Sequence, residues 1–306
     1  MGNPLVQQPL FPEFKPLGLE DREILQRLLW DYQPETSELT FTNLFIWKDF
    51  YNFAWSRDGD WLVIIGDSHD GARWLFLPIG PSPRVETCKK LLQWLKEIKG
   101  VREPGIERAD SRLVAELAPD SRFLIEPERD HCDYVYRSED LIQLTGNRYQ
   151  GQRNHIQHLQ RLYPFSYEPL EERRISACLE LAEKWCAQKN CAEDLSLQGE
   201  WEAVKACLQN FQDLNLQGGV ILINGNVEAF TLGELLNKET AVVHIEKANP
   251  LISGLYAAIN REFCRHSWFQ VPFVNREQDL GVPGLRTAKM SYHPHHLVEK
   301  FLIRLS

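Results

Sequence analysis

The chain has 306 residues, 43% hydrophobic and 25% charged, which suits a globular protein of one large or two ordinary domains. A formal net charge of -9 argues against broad, sequence-independent nucleic-acid binding and leaves room only for a local basic patch. There is no apolar run of roughly 18 residues to span a membrane, and the opening residues lack the basic-then-apolar order of a secretory signal.

The seven cysteines, an odd number, are expected to be plain thiols, mostly buried, in a reducing cytosol; Cys186 and Cys191 are too far apart for a CxxC redox pair. In chain order, LEDREILQRLLWDY (19–32) sets Ile24, Leu25, Leu28 and Leu29 at helical spacing. In SELTFTNLFIWKDFY (37–51), Ser37, Thr40 and Asn43 suggest a capped helix or a turn packed by aromatics. DGDWLVIIGD and ARWLFLPIG predict two strands joined by a polar turn containing Gly71. ETCKKLLQWLKEIKG predicts an amphipathic helix closed by Gly100, and SRLVAELAPD a short one stopped by Pro119. RFLIEP and DYVYR read as strands.

A second unit begins near residue 141. RYQGQRNHIQHLQRLY, RRISACLELAEKWCAQK and GEWEAVKACLQNF predict helices. GGVILIN, VEAFTLGELL and TAVVHIEK predict strands, with Asn224-Gly225 turning a hairpin. SGLYAAINREFCRHS is expected as a helix, WFQVPFVN as a strand, LRTAKMSY as a short helix and LVEKFLIR as a final strand. Both halves contain a hairpin followed by a helix, which suggests a duplicated α+β module rather than a doubly wound parallel sheet.

Three stretches concentrate chemistry. In TAVVHIEK, Val242, His244 and Glu246 share a strand face. A histidine and a carboxylate so placed form either a general-base or amine-orienting pair, or the polar face of an edge strand. In KANPLISGLYAAIN, Gly254 opens a helix on which Tyr256 and Asn260 lie four apart. In FVNREQDLGVPGLRTAKMSYHP (273–294), Asn275, Glu277 and Asp279 follow a strand end, and Gly281 and Gly284 leave backbone N–H groups open. Arg286 and Lys289 then share one helical face, so the arrangement suits an anion; the alternative is a polar loop and a solvated helix. Arg148, Arg153 and Arg161, with His155 and His158, are candidates for contact with an RNA end or lipid phosphate, or else a solvated face. The histidines at 293, 295 and 296 read as incidental, and no metal site is assigned. GxSxG, P-loop and GxGxxG motifs are absent.

Taken together, SELTFTNLFIWKDFY, GNRYQGQRNHI, EAFTLGELL, VVHIEKANPLISGLYAAIN and FVNREQDLGVPGLRTAKMSYHP resemble a soluble bacterial family. It is the family related to the C-terminal domain of phosphatidylglycerol lysyltransferase, matched from about Ser37 onward. The resemblance implies an α+β fold of two tandem GNAT-like acyltransferase domains, expected over 1–140 and 141–306, with mixed, mostly antiparallel sheets flanked by helices. It also implies kinship with Fem-type aminoacyl transferases; the N-terminal half, with fewer polar clusters, is expected to be a degenerate copy. Such relatives move an aminoacyl group from charged tRNA to a lipid headgroup or peptidoglycan amine, and this chain is expected to serve an amine or hydroxyl acceptor: a lipid headgroup, peptide or small molecule. Gly284, Leu285, Arg286, Lys289, Tyr292 and Pro294 occupy the positions of the lysyltransferase pattern.

On that footing His244, Glu246, Asn275 and Glu277 are expected to be catalytic. Gly254, Tyr256, Gly281, Gly284, Arg286 and Lys289 would hold the donor, while Asp279 and Asn260 orient an ammonium group. The donor would be charged tRNA through its acceptor end, in the cytoplasm. Two alternatives stand: an acetyl-CoA-dependent N-acetyltransferase, although KANPLISG lacks the arginine- and glycine-rich loop of coenzyme A users, and a non-catalytic sensor of an amino acid or peptide.

Overall fold

The structure is a computed structural model that describes residues 8–68, 71–189 and 191–306. The first seven residues, where the reading against a secretory signal begins, lie outside it, as do residues 69 and 70 of the expected turn. The chain divides into two compact units, Met1–Cys132 with Val298–Ser306, and Asp133–Leu297.

The first unit opens with β1 (Lys15–Pro16), α1 (Arg22–Tyr32), α2 (Phe41–Ile46) and α3 (Lys48–Tyr51). Leu25 and Leu29, one helical turn apart, bury the inner face of α1. Thr40 starts α2, its hydroxyl accepting from the Asn43 amide at 3.0 Å. Next come β2 (Ala54–Asp58), β3 (Trp61–Asp67), β4 (Arg73–Leu75), α4 (Val85–Glu97) and β5 (Ile106–Ala109). Then α5 (Ser111–Leu117) and β6 (Phe123–Pro127) follow. α4 buries Cys88, Leu91, Leu92 and Leu95, and the chain turns away at Gly100, whose φ of +69° is left-handed.

The second unit runs through β7 (Asp133–Arg137), α6 (Ser138–Gln143), α7 (Gln150–Leu162), β8 (Phe165–Pro169), α8 (Ile175–Lys189) and α9 (Leu195–Gln209). It continues with β9 (Gln217–Ile223), β10 (Asn226–Leu235), β11 (Thr240–Ala248), α10 (Leu255–Ser267) and β12 (Phe273–Asn275). It closes with α11 (Pro283–Met290) and β13 (His296–Val298), after which β14 (Phe301–Leu305) belongs to the first unit.

Each unit is built on a seven-stranded sheet among the described residues. The orders are β1-β2-β3-β4-β5-β14-β6 and β13-β7-β12-β11-β10-β9-β8. In each, four strands pair antiparallel, one parallel joint follows across a crossover helix, and the next pairing is antiparallel again. The duplicated α+β module is therefore visible in the strand orders. The unit bounds differ from 1–140 and 141–306 for a hydrogen-bonding reason. β7 pairs with β12, and the last strand of the chain lies between β5 and β6.

Two further expectations are corrected. WFQVPFVN is a strand only over Phe273–Asn275, because the Val271 amide turns back to the Trp268 carbonyl. Cys186 and Cys191 are not free thiols but a disulfide, brought together where α8 gives way to a 3-10 turn at Cys191–Glu193. The other five cysteines are buried thiols. No helix among the described residues is long and apolar enough to cross a membrane.

The first unit encloses a buried ion pair. Lys300 donates to both Glu38 carboxylate oxygens at 2.7 and 2.6 Å, and Arg108 lies 3.8 Å from the same group. Removing one member of such a pair strands the other charge in a low-dielectric interior. Lys300→Ala is therefore expected to destabilise the protein by about 3 kcal/mol in urea denaturation. A loss below about 1 kcal/mol would instead mean that Arg108 alone holds Glu38.

Candidate active site

β11 and β12 run parallel only over Thr240–Val242 against Phe273–Asn275. β11 then continues to Ala248, whereas β12 ends. Beyond the ladder, side chains join the two strands. His244 approaches Glu277 through Nδ1 at 2.9 Å and Glu234 of β10 through Nε2 at 3.0 Å. Arg276 donates to Glu246 at 2.9 Å. Glu246 also accepts from Asn260 of α10 at 3.3 Å.

The His244 side chain is completely buried. Burial opposes its charged form, but hydrogen bonds to Glu234 and Glu277 and the charges of both outweigh it, raising its pKa to about 9. The ring is an imidazolium at neutral pH. Glu277 has a left-handed φ of +56°, stabilised by its amide donating to the Asn275 side-chain oxygen at 2.8 Å. Asn275 is itself fixed by donating to Asp133 at 3.0 Å, both residues fully buried.

The turned backbone presents two carbonyls to Lys289, whose ammonium donates to those of Arg276 and Glu277. The side chain as a whole is partly exposed, but its ammonium is crowded. Burial lowers its pKa, the Arg276 charge lowers it further, and Glu277, Asp133 and Glu246 only partly offset this, leaving it at about 8. Arg276 lies over the rings of Tyr292 and Tyr136. For its guanidinium the balance is reversed: burial opposes the charge, but Glu246 together with Tyr136, Tyr292 and Cys264 outweighs it.

α11 buries no residue completely and is held in place by polar contacts. Arg286 grips Asp279 through two bonds of 2.8 Å, and the Gln152 side chain donates to the Ser291 carbonyl just past the helix at 2.9 Å. Tyr134 and the Gly281 amide also donate to Asp279. Burial would raise the Asp279 pKa, but Arg286, Tyr134 and Gly281 hold it below the usual carboxylate range.

The structure thus brings His244, Glu246, Asn275, Glu277, Lys289 and Asn260 into one neighbourhood. Two guanidinium nitrogens of Arg286 are occupied by Asp279 beside it, so Asp279 and Arg286 orient each other. Gly254 is accounted for by packing, since a Cβ there would sit 2.4 Å from the His155 carbonyl oxygen of α7. Tyr256 is exposed, Gly281 has a left-handed φ of +73°, and Gly284 faces open space. The three arginines near α7 act separately: Arg148 pairs with Asp140, Arg153 donates to the Leu144 and Gly146 carbonyls, and Arg161 is exposed. Glu234, Arg276, Asp133 and Tyr134 were missed as site residues. A lone acid near the end of an apolar strand, and the Arg276–Glu277 pair, were the available signals.

The family described as phosphatidylglycerol lysyltransferase, C-terminal, matches residues 31–304, and the chain belongs to it. A conserved protein of unknown function from Bacteroides thetaiotaomicron VPI-5482 is 33% identical, with a TM-score of 0.89 over 96% of this chain and 99% of that one. The structure of L-PGS from Bacillus licheniformis gives a TM-score of 0.65 at 12% identity, covering 93% and 92%. FemX gives 0.56 at 9% identity, covering 96% and 97%. At such identities the last two establish the fold alone, one that this chain shares with L-PGS and FemX. The chain spans about half the length of the curated relative it matches, an uncharacterised protein of Mycoplasmoides gallisepticum that is 20% identical over 175 residues, 56% of each.

The raised pKa of His244 makes a signed prediction. Its folded value of about 9 exceeds the ordinary 6.5, so its contribution is complete below the lower value and is lost as pH rises through the higher. The stability margin of the parent over His244→Gln should shrink by about 3 kcal/mol across that interval in urea titrations. A margin that stays constant or grows with pH would rule out a buried imidazolium.

Proposed function

We propose that the second unit transfers an aminoacyl group from charged tRNA to an amine or hydroxyl acceptor, with a lipid headgroup or peptide as the acceptor class. The observation that carries this reading is the parting of β11 and β12 with the Lys289 ammonium at its edge. The acceptor nitrogen or oxygen attacks the ester carbonyl of the donor, and negative charge develops on the carbonyl oxygen. A cation held by main-chain carbonyls is well suited to stabilise that oxyanion without moving.

His244 is a poor general base here, because it is already protonated and both ring nitrogens face carboxylates. It is better suited to holding Glu277 and Glu234 in position. Glu246 or Glu277 then takes the proton lost by the acceptor, and the departing ribose oxygen receives a proton as the ester bond breaks. Asn260 and Asp279 fix Glu246 and Arg286 around this centre. The packing of Gly254 against α7 argues against the α10 N-terminus as a seat for coenzyme A pyrophosphate.

The direct test is transfer of labelled amino acid from a charged tRNA pool to vesicles containing phosphatidylglycerol, or to peptide amines. Lys289→Ala should lower kcat about 10²- to 10³-fold with little change in Tm. In the parent, kcat should fall as pH rises through about 8, where Lys289 loses its proton, and Lys289→Arg should move that limb to higher pH. Binding supplies a control: a stable aminoacyl-adenosine at 100 times its Kd should stabilise the fold by about 2.7 kcal/mol. Stabilisation by acetyl-CoA instead would transfer the assignment to acetylation, and binding of the mimic without turnover would favour a sensor.

A further inference from the structure

The junction of α8 and α9 holds a pair of residues that the proposed chemistry does not use. The Cys186–Cys191 disulfide, with Cα atoms 5.3 Å apart, ties α8 to the turn that leads into α9. The same two helices close over Lys247 of β11. The Trp185 ring, beside Cys186 in the chain, lies 3.4 Å from the Lys247 ammonium, and Glu200 of α9 accepts from that ammonium at 2.6 Å. Lys247 is only 5% exposed, so access to it depends on where these helices sit. Lys247 shares β11 with His244 and Glu246.

The other cysteines are poorly suited to exchange. The thiolate is the exchanging species. Burial pushes the thiols of Cys88, Cys178 and Cys264 up to about 12, and that of Cys207 well above its ordinary value. Cys186, by contrast, is partly exposed. The bond closes a short loop, so it removes little chain entropy from the unfolded state. Both helices have buried faces of their own, with Cys178, Leu181 and Ala182 on α8 and Ala203, Val204 and Leu208 on α9. Breaking the bond therefore loosens the junction without removing the support of either helix.

We propose that Cys186 and Cys191 form a reversible, redox-sensitive clasp that holds the α8–α9 junction closed over Lys247. The co-reactant is a low-molecular-weight disulfide such as oxidised glutathione. One cysteine thiolate attacks its S–S bond and releases a glutathione thiolate. The second cysteine then attacks the mixed disulfide and releases the other. Two protein thiols are oxidised to one disulfide, and one glutathione disulfide is reduced to two thiols. Excess reduced glutathione runs the sequence backwards.

The full chain is equilibrated across a range of reduced-to-oxidised glutathione ratios, acid-quenched, alkylated and mapped by mass spectrometry. Trypsin cuts after Lys184 and Lys189, so the two cysteines fall on separate peptides unless they are bonded. The expected result is a linked peptide that appears with a single midpoint while the other five cysteines stay as thiols. A pulse of amine-acylating reagent before the quench should label Lys247 several-fold faster in the reduced protein. Cys186→Ser, or Cys191→Ser should the first fold poorly, should show the reduced rate at every ratio. Two separately alkylated cysteines at every ratio would overturn the redox pair. A titrating pair with constant Lys247 labelling would overturn the clasp.

Discussion

Two parallel strands that part after three residue pairs create a problem that main-chain hydrogen bonds no longer solve. In this protein the β11–β12 ladder stops at Val242 and Asn275. From that point the two strands are joined by charged side chains, His244 to Glu277 and Glu246 to Arg276. Each of these charges is tolerable only because its partner is in place. The left-handed turn at Glu277 carries the chain away from the sheet and sets its carboxylate against His244. That turn presents the carbonyls of Arg276 and Glu277 to Lys289, so the position of the α11 cation depends on the geometry of the gap.

Two cations in this neighbourhood are pushed in opposite directions, and their partners explain why. His244 has a carboxylate on each ring nitrogen, which overcomes the cost of burial. Lys289 has carbonyl partners and a neighbouring guanidinium, and nearby carboxylates only partly offset these effects. The linkage signs differ accordingly. His244 favours folding while it is charged, whereas Lys289 weakens folding while charged and the penalty is relieved as pH rises above its folded value. A group that costs stability in its charged form and titrates near neutrality is more readily explained by chemistry than by architecture.

Much of this frame was legible in the chain. Alternation marked β9, β10 and β11, and the period of two put His244 and Glu246 on one face, from which both reach across the gap. Local signals also located α10 and α11. What escaped was long-range. Tyr134 donates to a residue 145 positions away, and Asn275 to one 142 positions away; no local pattern announces such pairs. Asp133 and Tyr134 were read only as the start of a strand, although that strand is what fixes the loop after β12. Arg153 shows the same limit from the other side. Its charge suggested phosphate, yet its guanidinium serves the carbonyls that precede α7. The disulfide was missed because a CxxC rule has no bearing on cysteines brought together by a helix end and a 3-10 turn.

The two units show which parts of the arrangement belong to the fold and which to the site. In the first, the parallel contact pairs Leu75 with Ile106; in the second, its last pair is Val242 with Asn275. Two residues beyond Ile106 and Asn275 stand Arg108 and Glu277, both left-handed, with φ of +54° and +56°. Four residues beyond stand Asp110 and Asp279, each accepting from a tyrosine hydroxyl, Tyr32 or Tyr134, and from an arginine, Arg112 or Arg286. The backbone turn and the aspartate cluster are common to both copies and so belong to the fold. The charge at the turn is reversed: Arg108 faces Glu38 and lies by the rings of Tyr51 and Trp74, whereas Glu277 faces an imidazolium. A turn that accepts either sign places no demand of its own on charge. The acidic residue and its cationic partner in the second unit therefore reflect what that gap does rather than how the fold is made.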